Sequence, residues 1–93
     1  MKIGTLEMKI ARVEGFQVRI RTFEGRDIRS DRMGMPPWPY EKAARDRWSV
    51  AQWKSDRFVN LYPGFDVEVL DGNGAPVEFG QTLLETVRES YDW

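Results

Sequence analysis

Apolar and charged residues alternate in two runs near the start of the chain. In the first, Leu6, Met8 and Ile10 alternate with Glu7 and Lys9; in the second, Phe16, Val18 and Ile20 alternate with Gln17, Arg19 and Arg21. A period of two sends successive side chains to opposite faces of a sheet, so each run predicts a half-buried strand. Placing both apolar sets on one face pairs Ile10 with Val18 and Met8 with Ile20. Val13-Glu14-Gly15 is then a three-residue loop whose glycine takes the left-handed conformation. This register sets Lys9 opposite Arg19, so acidic neighbours from another strand are expected on that face.

The pattern returns in the last third of the chain, where Phe65, Val67 and Val69 alternate with Asp66 and Glu68, and Val77 and Phe79 follow Asp71-Gly72-Asn73-Gly74. Matching the apolar faces pairs Val69 with Val77 and Val67 with Phe79, with Gly72-Asn73-Gly74 as the loop. Glu68 then faces Glu78. The repulsion is relieved if this acidic hairpin sits beside the basic one, with Arg19 and Arg21 near Asp66, Glu68 and Glu78.

Between the two patterns the spacing turns helical. Pro39 suits a first helical position, and Tyr40, Ala43, Ala44 and Trp48 follow on one stripe, with Glu41/Arg45 and Lys42/Asp46 as ion pairs four apart. Ser49 and Gln52 form a capping box for a second helix that ends before Pro63-Gly64. Thr82 and Glu85 repeat the device for a third, which buries Leu84, Val87 and Tyr91. Residues 24 to 38 are the least periodic; Glu24-Gly25 can turn the chain and Arg26 to Ser30 can form a short edge strand. The prediction is one α+β domain over residues 1–93. It has two layers, an antiparallel sheet of four to five strands (two hairpins) packed against two or three helices, in the approximate order ββααββα.

Composition narrows the chemistry. The 93 residues include 41% hydrophobic and 31% charged positions, a globular balance, and neither histidine nor cysteine. Histidine- or cysteine-based nucleophilic catalysis, thiolate metal sites and disulfides are therefore excluded. Glu68 and Glu78 are the one carboxylate pair that the register brings together, and a solvated sheet face explains them more simply. Asp71-Gly72-Asn73-Gly74 lacks the further ligands of a calcium loop, and no glycine spacing suits a phosphate. The expectation is a chain with no enzymatic activity, cofactor or metal. Met1 to Ile10 mixes charge with apolar residues, unlike a signal peptide, and no apolar run is long enough for a membrane span, which predicts a soluble, cytoplasmic protein.

Charge and aromatics point to binding. Residues 1 to 48 hold eleven Lys/Arg against seven Asp/Glu, and residues 49 to 93 hold three against eight. Interleaving of the halves would neutralise this asymmetry; a dipolar surface would steer a charged partner. The Met33 to Tyr40 segment, stiffened by Pro36, Pro37 and Pro39, is a candidate preformed ridge presenting Met33, Met35, Trp38 and Tyr40, with Trp53 beside it and Arg26, Arg29 and Arg32 on the rim. Alternatively Trp38 and Tyr40 fold back over the sheet, one inside and one outside. On an ideal helix Trp53 lies across Lys54 and Arg57 from Phe58 and Tyr62, so either those two cations lay their stems along the core or Trp53 serves a second surface. The leading expectation is a small interaction module, an adaptor or inhibitor that binds a protein or itself. The alternatives are a nucleic-acid-binding domain that uses the Arg19, Arg21, Arg26, Arg29, Arg32 series, and a small-molecule site lined by the same aromatics.

Overall fold

A computed structural model describes residues 2–22 and 34–91 of the chain. Among these, helix α1 (Ile3–Glu14) leads into strand β1 (Val18–Thr22). Residues 34 to 48 are irregular, and helix α2 (Val50–Trp53), a π-helical segment (Lys54–Val59), strand β2 (Phe65–Val69) and helix α3 (Leu84–Glu89) follow. The class is α+β, but the described residues hold a two-stranded antiparallel sheet where four to five strands were expected. The proposed edge strand at Arg26 to Ser30 falls outside the described residues.

The first predicted strand is a helix. Positions four apart share a face in both a strand and a helix, so Leu6 and Ile10 fit either, and the discriminating position is Met8. Met8 is 67% exposed, while Ile3, Leu6, Ile10 and Glu14 form one buried stripe. Gly15 does take the left-handed conformation, with φ of 83°, but as the cap of α1; its N–H donates to the Ala11 carbonyl at 3.0 Å.

β1 instead pairs with β2, setting Arg19 opposite Glu68 and Arg21 opposite Asp66. This is the basic-beside-acidic arrangement expected, and Arg21 reaches Glu68 at 3.0 Å. At one end of the ladder the Leu70 N–H donates to Gln17 at 2.9 Å. The reciprocal bond is relayed by Tyr91, whose hydroxyl accepts from the Gln17 N–H at 2.8 Å and donates to the Leu70 carbonyl. The last helix is thereby pinned to the sheet.

The second hairpin keeps its expected register for one turn only. Leu70 bridges Pro76, the Val77 N–H donates to Val69 at 2.8 Å, and Asp71 Oδ1 accepts from the N–H groups of Asn73 and Ala75. Gly74 supplies the positive φ. Pairing stops there: Phe79, expected opposite Val67 in the core, is 78% exposed.

The helix expected from Pro39 to Trp48 is absent; apart from a turn at residues 46 and 47, the stretch has no regular structure. Its backbone groups are engaged by distant side chains. The Ala44 N–H donates to Glu14, and the Lys42 carbonyl accepts from Arg57. At the Ser49 cap the prediction holds, with Ser49 Oγ accepting from the Gln52 N–H at 3.1 Å. The Thr82/Glu85 box does not form. The Leu84 and Glu85 N–H groups donate to the carbonyls of Trp48 and Asp46, while those of Val50 and Ala51, at the start of α2, donate to Thr82 and Gly80. The segment leading into each helix thus satisfies the other helix's unpaired first-turn donors.

The π-helical segment answers the question of the two aromatic arcs. A π-turn spans about one extra residue compared with an α-turn, so residues five apart come onto one face. Trp53 and Phe58 are five apart, and both are fully buried together with Tyr62. Arg57 stays half-buried beside them, and the exposed residues on α2 are Ala51 and Gln52.

Candidate functional site

The structure places most of the expected ridge inside. Met35, Trp38 and Trp53 belong to the core. Trp38 stacks near-parallel on Tyr62 at 6.3 Å, sits 5.8 Å from Trp53 and meets Tyr40 edge-on at 5.1 Å; Phe16 closes the cluster edge-on against Trp53 at 5.0 Å. The Tyr62 hydroxyl donates to the Pro36 carbonyl at 3.0 Å. Burial, and then the neighbouring Tyr40, push its pKa up to about 12, so it remains a donor at neutral pH. Tyr40 is half-buried, with the Arg57 guanidinium 4.1 Å from its ring centre. One aromatic is therefore inside and the other at the boundary. In a domain with room for one core, the large apolar area of two tryptophans favours burial over display. Met33, Arg26, Arg29 and Arg32 fall outside the described residues.

Three of the described arginines, Arg21, Arg57 and Arg88, are engaged with acids. Glu14 is a fully buried carboxylate at the end of α1. One oxygen accepts from the Ala44 N–H at 2.9 Å, and the other accepts from Arg57 at 2.6 Å. Arg57 also donates to the Lys42 carbonyl at 2.8 Å. From the far side Arg88 donates to the Glu14 carbonyl at 2.7 Å and to Asp46 at 2.6 Å, with its other terminal nitrogen 3.6 Å from the Glu14 carboxylate. Five stretches of chain meet at this clasp: α1, residues 42–46, the π-helical segment, α3 and, through Arg88 above its ring, Phe16. Its geometry is that of a structural joint, since both Glu14 oxygens are occupied and the side chain is fully buried. Sequence reasoning missed it because Glu14 is spaced like any surface charge; the one available signal was its place on the apolar stripe of Ile3, Leu6 and Ile10.

The carboxylate pair expected of Glu68 and Glu78 does not assemble either, since Glu68 faces Arg19 and Arg21 while Glu78 is exposed beyond the end of the ladder.

Two surface features stand out among the described residues. The first is Phe79, with Leu83 at 42% exposure four residues on. The backbone around Phe79 is held on both sides, by Val77 N–H to Val69, Ala51 N–H to Gly80, Val50 N–H to Thr82 and Thr82 N–H to the Phe79 carbonyl, all between 2.8 and 3.0 Å. Gly80 permits the close approach to α2, where an added Cβ would come 3.0 Å from that of Ala51. The second feature is a groove of about 180 Å³ between α1 and β1, lined by Gly4, Glu7, Met8, Ala11, Gln17 and Val18. Gly4, Glu7, Met8 and Ala11 share one helix face. Glu7, in the groove lining, accepts from the Ile20 N–H at 2.8 Å, occupying one donor on the edge of β1 away from β2. Burial raises its pKa above the ordinary value, against the lowering effects of the Ile20 N–H and the nearby Arg19 charge.

No family model matches the chain, and neither a curated protein nor a solved structure matches it significantly. Among the described residues, no helix is long and apolar enough to cross a membrane.

Proposed function

We propose that this chain is a non-enzymatic interaction module that binds protein through an apolar anchor, Phe79, supported by Leu83. The carrying observation is that a phenyl ring 78% exposed to water projects from backbone fixed on both sides by hydrogen bonds. Burying such a ring elsewhere in the fold would contribute roughly 1.5–3 kcal/mol, a gain left unused in the isolated chain and recoverable at an interface. Because the loop is already ordered, binding there costs little further conformational entropy. This reading moves the anchor from the Met33 to Tyr40 segment, whose Met35 and Trp38 help hold the core, to the far end of the second hairpin. The non-enzymatic part rests on Glu14, the fully buried carboxylate, whose oxygens are already taken by Ala44 and Arg57.

The test compares wild type with Phe79→Ser as baits in cell lysate, each with and without nuclease. Retention of a stoichiometric protein by wild type after nuclease, and its loss with Phe79→Ser at unchanged melting temperature, is the expected result. Equal retention by both baits would remove Phe79 from the interface, and loss on nuclease treatment would favour the nucleic-acid alternative.

A further inference from the structure

We infer that one partner of Phe79 is a second copy of the same chain, which receives the ring in its α1/β1 groove. This rests on Phe79 being an anchor and adds the identity of the receiving surface. Size is the first argument. The groove measures about 180 Å³, and an apolar cavity of roughly 150 Å³ is enough to take up benzene. The lining suits an aromatic ring, with Ala11 and Gly4 leaving space and the exposed Met8 thioether at the rim, a group that packs favourably against aromatic edges. Glu7, the one carboxylate in the lining, is already held by the Ile20 N–H.

Charge is the second argument. Arg12 follows Met8 by four residues on α1, and Arg19 stands on the β1 side close enough to act on Glu7; both are exposed. The ring arrives with Glu78 exposed beside it. Between Phe58 and Tyr91 the only basic residue is Arg88, which is bound to Asp46 and to the Glu14 carbonyl, against six acids. The basic and acidic halves of the sequence thus become, in part, an arginine-rimmed groove and an acid-flanked knob. Such complementarity speeds association and fixes orientation. Knob and groove are different patches, so each copy offers both, and growth continues past a dimer unless rotation closes a ring.

Complementary variants give the test. Phe79→Ser removes the knob and leaves the groove; Ala11→Arg fills the groove and leaves the knob, with Met8→Glu at the exposed rim as a second groove variant. Circular dichroism and melting establish that each is folded. By sedimentation velocity across micromolar to millimolar concentration, wild type is expected to self-associate, more weakly as salt rises. Each variant alone is expected to associate roughly thirtyfold or more weakly, the effect of losing a hot-spot side chain. Mixing Phe79→Ser with a groove variant should restore a one-to-one dimer that grows no further. Wild type that stays monomeric throughout, or association unchanged in folded Phe79→Ser, would overturn the inference. In the first case Phe79-dependent capture of another protein would still leave the interaction reading standing.

Discussion

Two glycine-bearing junctions, Val13-Glu14-Gly15 and Gly72-Asn73-Gly74, are similar in sequence context: each follows a run of alternating apolar residues, and each ends in a glycine with φ near 82°. One closes a helix and the other turns a hairpin. The difference is where the instructions reside. At residues 71 to 75 the turn is specified locally, by Asp71 Oδ1 accepting from two N–H groups within four residues. At residues 13 to 15 the outcome depends on remote partners, since Glu14 is held by Ala44 and Arg57, thirty and more residues away. Local turn chemistry survives transfer from sequence to structure; a lone charge that becomes a buried joint does not announce itself.

The largest effect should come from breaking the remote joint. Glu14→Ala leaves Arg57 partly buried without its carboxylate and the Ala44 N–H without an acceptor; a loss of about 3–5 kcal/mol is expected by urea denaturation. If the loss is under about 1 kcal/mol, typical of a surface ion pair, the clasp does not hold the fold. Next, Leu6→Ala should cost about 2–5 kcal/mol while Met8→Ala stays within about 0.5, which separates a helix from the strand that the alternation suggested. Equal costs at both positions would restore the strand.

The hairpin offers a third comparison. A Cβ at Gly72 would come 1.8 Å from the Ser90 carbonyl oxygen, so Gly72→Ala should destabilise by about 3 kcal/mol as the loop is pushed off α3. At Gly15 and Gly74 the backbone sets the cost: φ is positive at both, an added Cβ at Gly15 makes ordinary contact with Arg88, and at Gly74 it meets nothing. Alanine at either should cost about 1–2 kcal/mol, and a marked inequality in melting would show that one junction carries more than its dihedral.

The smallest effect is pH dependence at Glu7. Its pKa is raised in the folded chain, chiefly by burial. The protonated form is therefore favoured by folding: this contribution is full below the ordinary glutamate pKa and is lost as pH rises through the folded value. Glu7→Gln, which keeps an acceptor for the Ile20 N–H, should remove that decline in an acid-to-neutral series of unfolding curves; an unchanged profile would assign it to other groups.

Several features were legible before any coordinates: the α+β class, the Ser49 cap, the loop and first rung of the second hairpin, the pairing of basic Arg19 and Arg21 with acidic β2, and the apolar face of α3. All rest on short-range chemistry or on charge pairing along a strand. The candidate site was not legible. Met35, Trp38 and Trp53 have the composition of an interface, and composition does not distinguish an interface from a core. Phe79 had the spacing of a core strand residue, and its exposure follows from where the ladder stops.

Sequence alone determined the turn at residues 71 to 75, one cap and the charge asymmetry, because each is settled by atoms within a few residues or by simple counting. Tertiary structure decided that residues 3 to 14 form a helix, because Leu6 and Ile10 satisfy two periods and only Met8 separates them. It also decided that residues 39 to 48 do not, because Glu14 and Arg57 take backbone groups that a helix would use internally. A π-turn brought Trp53 and Phe58 onto one face, and the mutual capping of α2 and α3 fixed the loop that holds Phe79 out in water. In each case the deciding partner lay far along the chain or depended on the third dimension.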